Sequence, residues 1–243
     1  MGDEGLQIFK VDARKVSQVN FLSWEDPNFI ESATQSIVKQ CKRAKILVFN
    51  DMVEQHYRKE RIPKVSFFDQ KNVLQRRLNI AFPNYRVRAA LKLKDKKTPA
   101  VGEKKGNPYL FAAVPASDSF RKVLEAVRAS MAPIDGFYLL PVEASSIVSA
   151  LSKKISKSSR STWTIFVGQH HKGNLRQIVT RNNELALTRL TPIVDTDVEP
   201  DIWATEVSEE LDATMSYLLR FGYKPEDGLN IIIVTNQSAK TSL

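Results

Sequence analysis

The chain is poor in the residues that most often carry chemistry: among 243 residues there are one cysteine, three histidines and nine glycines. A lone Cys41 excludes an intramolecular disulfide framework, and no cluster of Cys and His has the spacing of a structural zinc site. A reducing compartment, the cytoplasm, is therefore expected. No run of about 18 apolar residues is present to cross a bilayer as a helix. The opening Met1-Gly2-Asp3-Glu4-Gly5 has neither the basic flank nor the apolar stretch of a signal peptide, and the sequence as it stands reads as soluble. Nine glycines also leave little material for glycine-rich phosphate loops.

What is present is an ordinary globular mixture, 42% hydrophobic and 26% charged. At about 150 residues per domain the length fits one or two domains, and a chain this long buries roughly 70% of its unfolded surface without staples. Thirty-six Lys and Arg against 27 Asp and Glu leave a net charge of +9. Much of it is local. From Tyr85 to Lys105, Arg86, Arg88, Lys92, Lys94, Lys96, Lys97, Lys104 and Lys105 oppose only Asp95 and Glu103, a net +6. A second cluster, Lys153, Lys154, Lys157 and Arg160, lies in a Ser-rich stretch. Lysines between elements commonly serve solubility. The functional reading of the clusters is contact with anionic headgroups, where each nearby Lys contributes about 1 kcal/mol. The candidate contact residues are Lys92, Lys94, Lys96, Lys97, Lys104, Lys105, Lys153, Lys154, Lys157 and Arg160. Few aromatics interleave these runs and no groove-reading motif is recognisable, which argues against nucleic acid.

Patterning predicts a mixed α/β fold. Residues 6–11 and 16–22 alternate as strands around a turn at 12–15. Asp26-Pro27 then reads as a helix cap with proline at the first helical position, followed by a stripe of Phe29, Ile30, Ala33, Ile37 and Cys41. Residues 44–50 form a short apolar run of the kind buried on both faces of a parallel sheet. The stretch 51–70 reads as a connection with a short helical piece near 52–58. Helical spacing returns at 72–82, strands at 86–94 and 108–115 pair as a hairpin, and Ser119 is the expected cap of a helix reaching Met131. A strand at 136–140 and a helix at 142–155 complete the first part.

The polar, basic stretch 152–162 is the clearest composition shift, so a first lobe is expected over 1–155 and a smaller second lobe over 156–243. In the second, three strands (163–168, 174–181, 185–192) are joined by turns at His171-Lys172-Gly173 and Asn182-Asn183. A helix over 202–221 follows, stopped by Gly222. The near-continuous apolar run 229–234 suits a central parallel strand.

Three antiparallel strands, a helix and a parallel strand form the core of the ribonuclease H-like fold, which actin-like proteins carry twice. On Thr164-Ile165-Phe166-Val167-Gly168, Leu175 to Arg181, Leu185 to Arg189, the long helix with Glu206, Glu209 and Tyr217, and Ile231-Ile232-Ile233-Val234, the chain resembles the actin-like assembly proteins of type IV pili and type II secretion systems: PilM and the cytoplasmic domain of the type II secretion L protein. In the first lobe the helix ending before Pro83, and Val142-Glu143-Ala144, are similar in placement. The resemblance implies a two-lobed actin-like α/β fold, with an inserted hairpin in the first lobe. It further implies a membrane-recruited component that docks inner-membrane assembly proteins and a cytoplasmic motor ATPase. On this reading the chain is a soluble member, or its membrane segment lies beyond Leu243.

The departures bear on activity. Actin-like ATPases resemble one another at two hairpins that donate backbone N–H groups to phosphates beside an Asp that positions metal or water. The first would be Phe9 to Arg14, which has no glycine at the turn. The second would be Val167 to Gly173, which has no Asp. Val234-Thr235-Asn236-Gln237-Ser238 stands where the adenosine-side Gly-Gly is expected. No cofactor is therefore expected, and the chain is read as a scaffold and not an enzyme. An active ATPase of the same fold and a basic nucleic-acid-binding protein are the alternatives. Other constellations are weak. Adjacent His170 and His171 on a strand end point to opposite faces and rarely share one metal ion. Asp51, Glu54 and His56 could form an acid/base group, yet no nucleophile accompanies them. Cys41 reads as a small core residue, and Trp24 and Trp203 as packing residues.

Overall fold

The computed structural model of the chain describes residues 1–13, 15–40, 44–94, 106–155, 162–170, 174–193 and 199–235. They fall into two compact units, Met1–Leu139 and Leu140–Leu243.

The first unit begins with an antiparallel ribbon, β1 (Gly5–Asp12) and β2 (Lys15–Ser23). Gly5 is required there, because a Cβ would lie 2.2 Å from the Leu22 carbonyl oxygen. Helix α1 (Phe29–Gln40) follows. Pro27 is not its first residue: Asp26 Oδ1 accepts from the Asn28 amide at 2.8 Å, forming a turn that delays the helix to Phe29. Cys41 lies outside the described residues. Strand β3 (Ile46–Asn50) pairs in parallel with β7 (Ile134–Leu139). The parallel direction is as expected but burial on both faces is not. Val48 and Asn50 are buried, whereas Leu47 and Phe49 on the opposite face are exposed. Helix α3 (Asp118–Ala129) packs against α1, and Phe29, Ala33, Ile37, Val123, Ala126 and Val127 form a core with Leu6, Leu22 and Val48. Ser117, not Ser119, caps α3, its hydroxyl accepting from the Phe120 amide at 3.2 Å. Met131 stands beyond the helix with a φ of 54° and is exposed.

Between β3 and α3 lies a module of β4 (His56–Ile62), α2 (Phe67–Ala81), β5 (Val87–Lys92) and β6 (Asn107–Val114). The expected β5–β6 hairpin is present, but the insertion is larger than a hairpin. The expected helical piece near 52–58 is the strand β4, and β4-β6-β5 form one antiparallel sheet. His-Tyr-Arg-Lys-Glu-Arg-Ile is too polar to announce a strand. It becomes one because β6, buried along most of its length, supplies the pairing partner and only Ile62 need be buried. One face of this sheet holds Ile62, Tyr109 and Phe111 against Leu78 and Phe82 of α2 and its end.

In the second unit the sheet order is β10 (Glu184–Pro192), β9 (Asn174–Arg181), β8 (Trp163–Gln169), β11 (Leu229–Val234). The first three are antiparallel neighbours and β11 is parallel to β8. Strand β11 thus ends the order instead of standing at its centre, with Ile231 and Val234 exposed. Asn182 and Asn183 form the β9–β10 turn with φ values of 51° and 66°, the left-handed pair that a two-residue hairpin demands. Helix α5 (Pro200–Arg220) buries Trp203, Val207 and Leu218 against Trp163, Ile165, Val167 and Val179. Gly222, at φ 80°, ends it: the Gly222 amide donates to the Leu219 carbonyl and the Tyr223 amide to the Leu218 carbonyl, a Schellman stop. Helix α4 (Leu140–Ile155) packs on β8, β9 and β10 through Ser145, Val148, Ser149 and Ser152. The sequence reading sets the boundary after Ile155, at the composition shift; by packing, α4 belongs with the second unit.

Candidate functional site: phosphate-hairpin positions and basic surfaces

The first hairpin position is the tip of the β1–β2 ribbon. Asp12 faces Lys15 in register and its carboxylate lies 3.6 Å from the Lys10 ammonium. Around it Phe9, Val11 and Val16 are exposed. Arg14 lies outside the described residues.

The second position, at the end of β8, is differently built. Gly168 pairs with Arg176, and the His170 amide donates to the Asn174 carbonyl at 2.9 Å. His170 is not a surface turn residue. It is buried, and the Arg176 guanidinium, also buried, stands 3.3 Å from its Nε2. An imidazole and a guanidinium therefore occupy the hairpin where the resemblance calls for a carboxylate. A guanidinium has donors and no acceptor, so it can neither ligate a cation nor accept a hydrogen bond from a metal-bound water. His171, Lys172 and Gly173 lie outside the described residues, as do Asn236, Gln237 and Ser238 after β11. Among the described residues no group of three or more His, Cys, Asp or Glu is placed to hold a metal ion.

The acid/base candidates at the start of β4 are partly brought together, with a member that sequence reasoning missed. Tyr85, in the α2–β5 turn, has its hydroxyl 2.6 Å from His56 Nε2 and 3.5 Å from Glu54 Oε1, and Glu54 lies 3.7 Å from His56. Desolvation first, and then the Glu54 charge, raise the Tyr85 phenol above its ordinary value. The Asp51 amide donates to the Met1 carbonyl, and its charge acts on the Met1 ammonium. The trio ties β4 to the turn after α2, and among the described residues no Ser, Cys or Lys nucleophile is seen bonded to it. Trp24 and Trp203 pack as expected: Trp24 lies 5.1 Å from the Phe29 ring, and Trp203 is fully buried.

Of the basic candidates, Lys92 and Lys94 stand exposed at the end of β5, and Lys153 and Lys154 in the last turn of α4. Lys96, Lys97, Lys104, Lys105, Lys157 and Arg160 lie outside the described residues. Sequence reasoning also missed the start of α2. Ser66 Oγ accepts from the Asp69 amide at 3.2 Å and donates to the Asp69 carboxylate at 2.7 Å. The pair Ser66-x-x-Asp69 before an apolar run was the available signal. It places Phe67 and Phe68, 85% and 88% exposed, on the first turn.

The architecture has a counterpart among solved structures. A chain of a PilM–PilN type IV pilus biogenesis complex matches 97% of this chain over 86% of its own length, with a TM-score of 0.59 and 11% identity. The fold is actin-like. Two further structures match with lower scores. One is a Bacteroides thetaiotaomicron protein of unknown function with an actin-like ATPase fold (TM-score 0.41, 9% identity, 94% of this chain and 87% of that one). The other is the cytoplasmic domain of EpsL, an inner membrane component of the type II secretion system of Vibrio cholerae (TM-score 0.38, 10% identity, 84% and 71%). The expected resemblance to the pilus assembly protein PilM is thus present as structural similarity of fold at low identity. No protein-family model matches the chain, and no curated protein matches it in sequence. No described helix is long and apolar enough to cross a membrane.

Proposed function

We propose that this actin-like chain is an assembly-platform domain of a type IV pilus or type II secretion-like machine. It works as a scaffold without turning over nucleotide. Its partners on this reading are inner-membrane assembly proteins and a cytoplasmic motor ATPase, with the exposed lysines turned to an anionic membrane surface from the cytoplasmic side. Similarity of fold to PilM supports the machine, by analogy of architecture. The observation that carries the scaffold over the ATPase is the second hairpin, where buried Arg176 and His170 stand in place of a carboxylate.

Two measurements test this together. Calorimetric titration of the full chain with Mg-ATP at low salt is expected to give no saturable heat up to millimolar nucleotide. Saturable micromolar binding sinks the scaffold-only reading and promotes the ATPase, with Asp12 and Gly168 as the first positions to mutate. Affinity capture against purified inner-membrane assembly proteins is expected to recover at least one of them. Recovery of none overturns the platform role.

A further inference from the structure

The geometry points to one end of the β4-α2-β5-β6 module as a wedge that inserts into an anionic phospholipid surface, with Phe67 and Phe68 entering the acyl boundary and Lys64, Lys71, Lys92 and Lys94 on the headgroups. This deepens the membrane-side part of the proposed function, on which it rests, by naming the ligand and the residues.

Register places these residues together. Ile62 ends β4 opposite Asn107, the first residue of β6, and Lys92 ends β5 opposite Tyr109. The Gln70 side chain, on the first turn of α2, donates to the Tyr109 hydroxyl at 2.5 Å. The connection holding Lys64 and Val65, the start of α2 with Phe67, Phe68 and Lys71, and the end of β5 with Lys92 and Lys94 therefore share one end of the sheet. The opposite end, where Tyr85 meets His56, has no comparable aromatic exposure.

Three features favour a lipid surface over a protein socket. First, both rings project almost wholly into solvent, packed edge to face on each other at 6.1 Å. A convex apolar point needs a deformable apolar phase, whereas a rigid partner would have to supply a matching cavity. Second, the module carries the charge of the whole protein. From His56 to Lys94 there are eleven basic and two acidic residues, a net +9, and the remaining sequence holds 25 of each sign. Those two acidic groups are already engaged: Asp69 by its cap bond to Ser66, and Glu60 by Arg58 at 2.7 Å. Third, aromatic insertion with basic side chains reaching for phosphate is the pairing that holds peripheral proteins on anionic leaflets. The Ser66 cap and the Gln70–Tyr109 bond brace the wedge, so little ordering is required on contact.

Vesicle co-sedimentation of the full chain tests the assignment, comparing phosphatidylglycerol in phosphatidylcholine with phosphatidylcholine alone at about 0.15 M salt. Wild type is expected to bind the anionic vesicles and not the neutral ones. F67S/F68S is expected to weaken partitioning about tenfold or more with an unchanged thermal midpoint, since neither ring is buried. K64Q/K71Q/K92Q is expected to weaken it about a hundredfold. Absence of vesicle binding by wild type, or binding indifferent to F67S/F68S, overturns the wedge. So does equal, phenylalanine-independent binding to polyglutamate, which marks an acidic polypeptide ligand. So does self-association in lipid-free sedimentation that F67S/F68S abolishes without any vesicle binding, which makes a second copy the occupant. Because no assembly protein is supplied, failure here is distinct from failure to capture one.

Discussion

At the scale of single residues, buried Gln177 and Thr214 hold α5 to the sheet of the second unit. Thr214 donates to Gln177 Oε1 at 2.7 Å and accepts from Arg189 Nη1 at 2.8 Å; Arg189 also pairs with Glu210 at 2.9 Å. Gln177 and Thr214 are fully buried, so water cannot replace the hydroxyl. Thr214→Val keeps the volume and removes the bridge, and is expected to lower unfolding free energy by about 1–3 kcal/mol in a denaturant titration. A second residue-level expectation follows from Tyr85. Its phenol is raised above 10.0, first by desolvation and then by Glu54. A folded value above the unfolded one means that the native state holds the proton longer, so this contribution is full below pH 10 and is lost as pH rises through the folded value. Tyr85→Phe should therefore flatten the alkaline fall of stability above pH 10, and difference absorbance should show one fewer tyrosine titrating on the alkaline side.

At the scale of elements, caps and stops decide where helices begin and end. Ser117→Ala is expected to cost about 1 kcal/mol and Ser119→Ala close to nothing, because only Ser117 accepts a helix amide. Gly222→Ala should cost about 1–2 kcal/mol through φ 80° alone, since a Cβ there meets no atom within 4 Å. Thermal melts of these three variants check both claims. Where local chemistry was sufficient, the sequence was readable. The Asn182-Asn183 turn, the Gly222 stop and the β8–β10 meander follow from neighbouring residues, and the three strands of that meander, with the long helix and β11, carried the actin-like resemblance. Strand β4 was not readable, because its pairing with a distant, buried β6 overrides a polar sequence. Ser119 and Ser117 differ only in which backbone turns extended, a choice that alternation in the flanking strand does not specify. The candidate site was legible mainly as departures from the nucleotide hairpins. The burial of His170 with Arg176, and the meeting of Tyr85 with His56 across 29 residues, required the fold.

At the scale of the whole molecule, charge and shape separate the readings that composition leaves together. A net +9 invites nucleic acid and membrane equally, and both attractions begin with counterion release or Coulomb pull. What differs is the second component. Single-stranded nucleic acid needs flat aromatic platforms along a groove; the exposed rings of the module are instead Phe67 and Phe68, set edge to face at 80° on one helix turn. Such a pair offers depth more than a stacking surface. Contact with an oligonucleotide is therefore expected to be electrostatic alone. It should be measurable by anisotropy at about 0.05 M salt and fall by orders of magnitude by about 0.2 M, as phosphate contacts do. Vesicle binding shares the Coulomb pull but adds an apolar component that screening does not reach, so over the same range it should fall less steeply and keep its dependence on Phe67 and Phe68. Parallel salt titrations of the two ligands would show the curves diverging. Oligonucleotide binding that holds at the higher salt while vesicle binding collapses would reverse the order of the two readings and make the basic module a nucleic-acid surface.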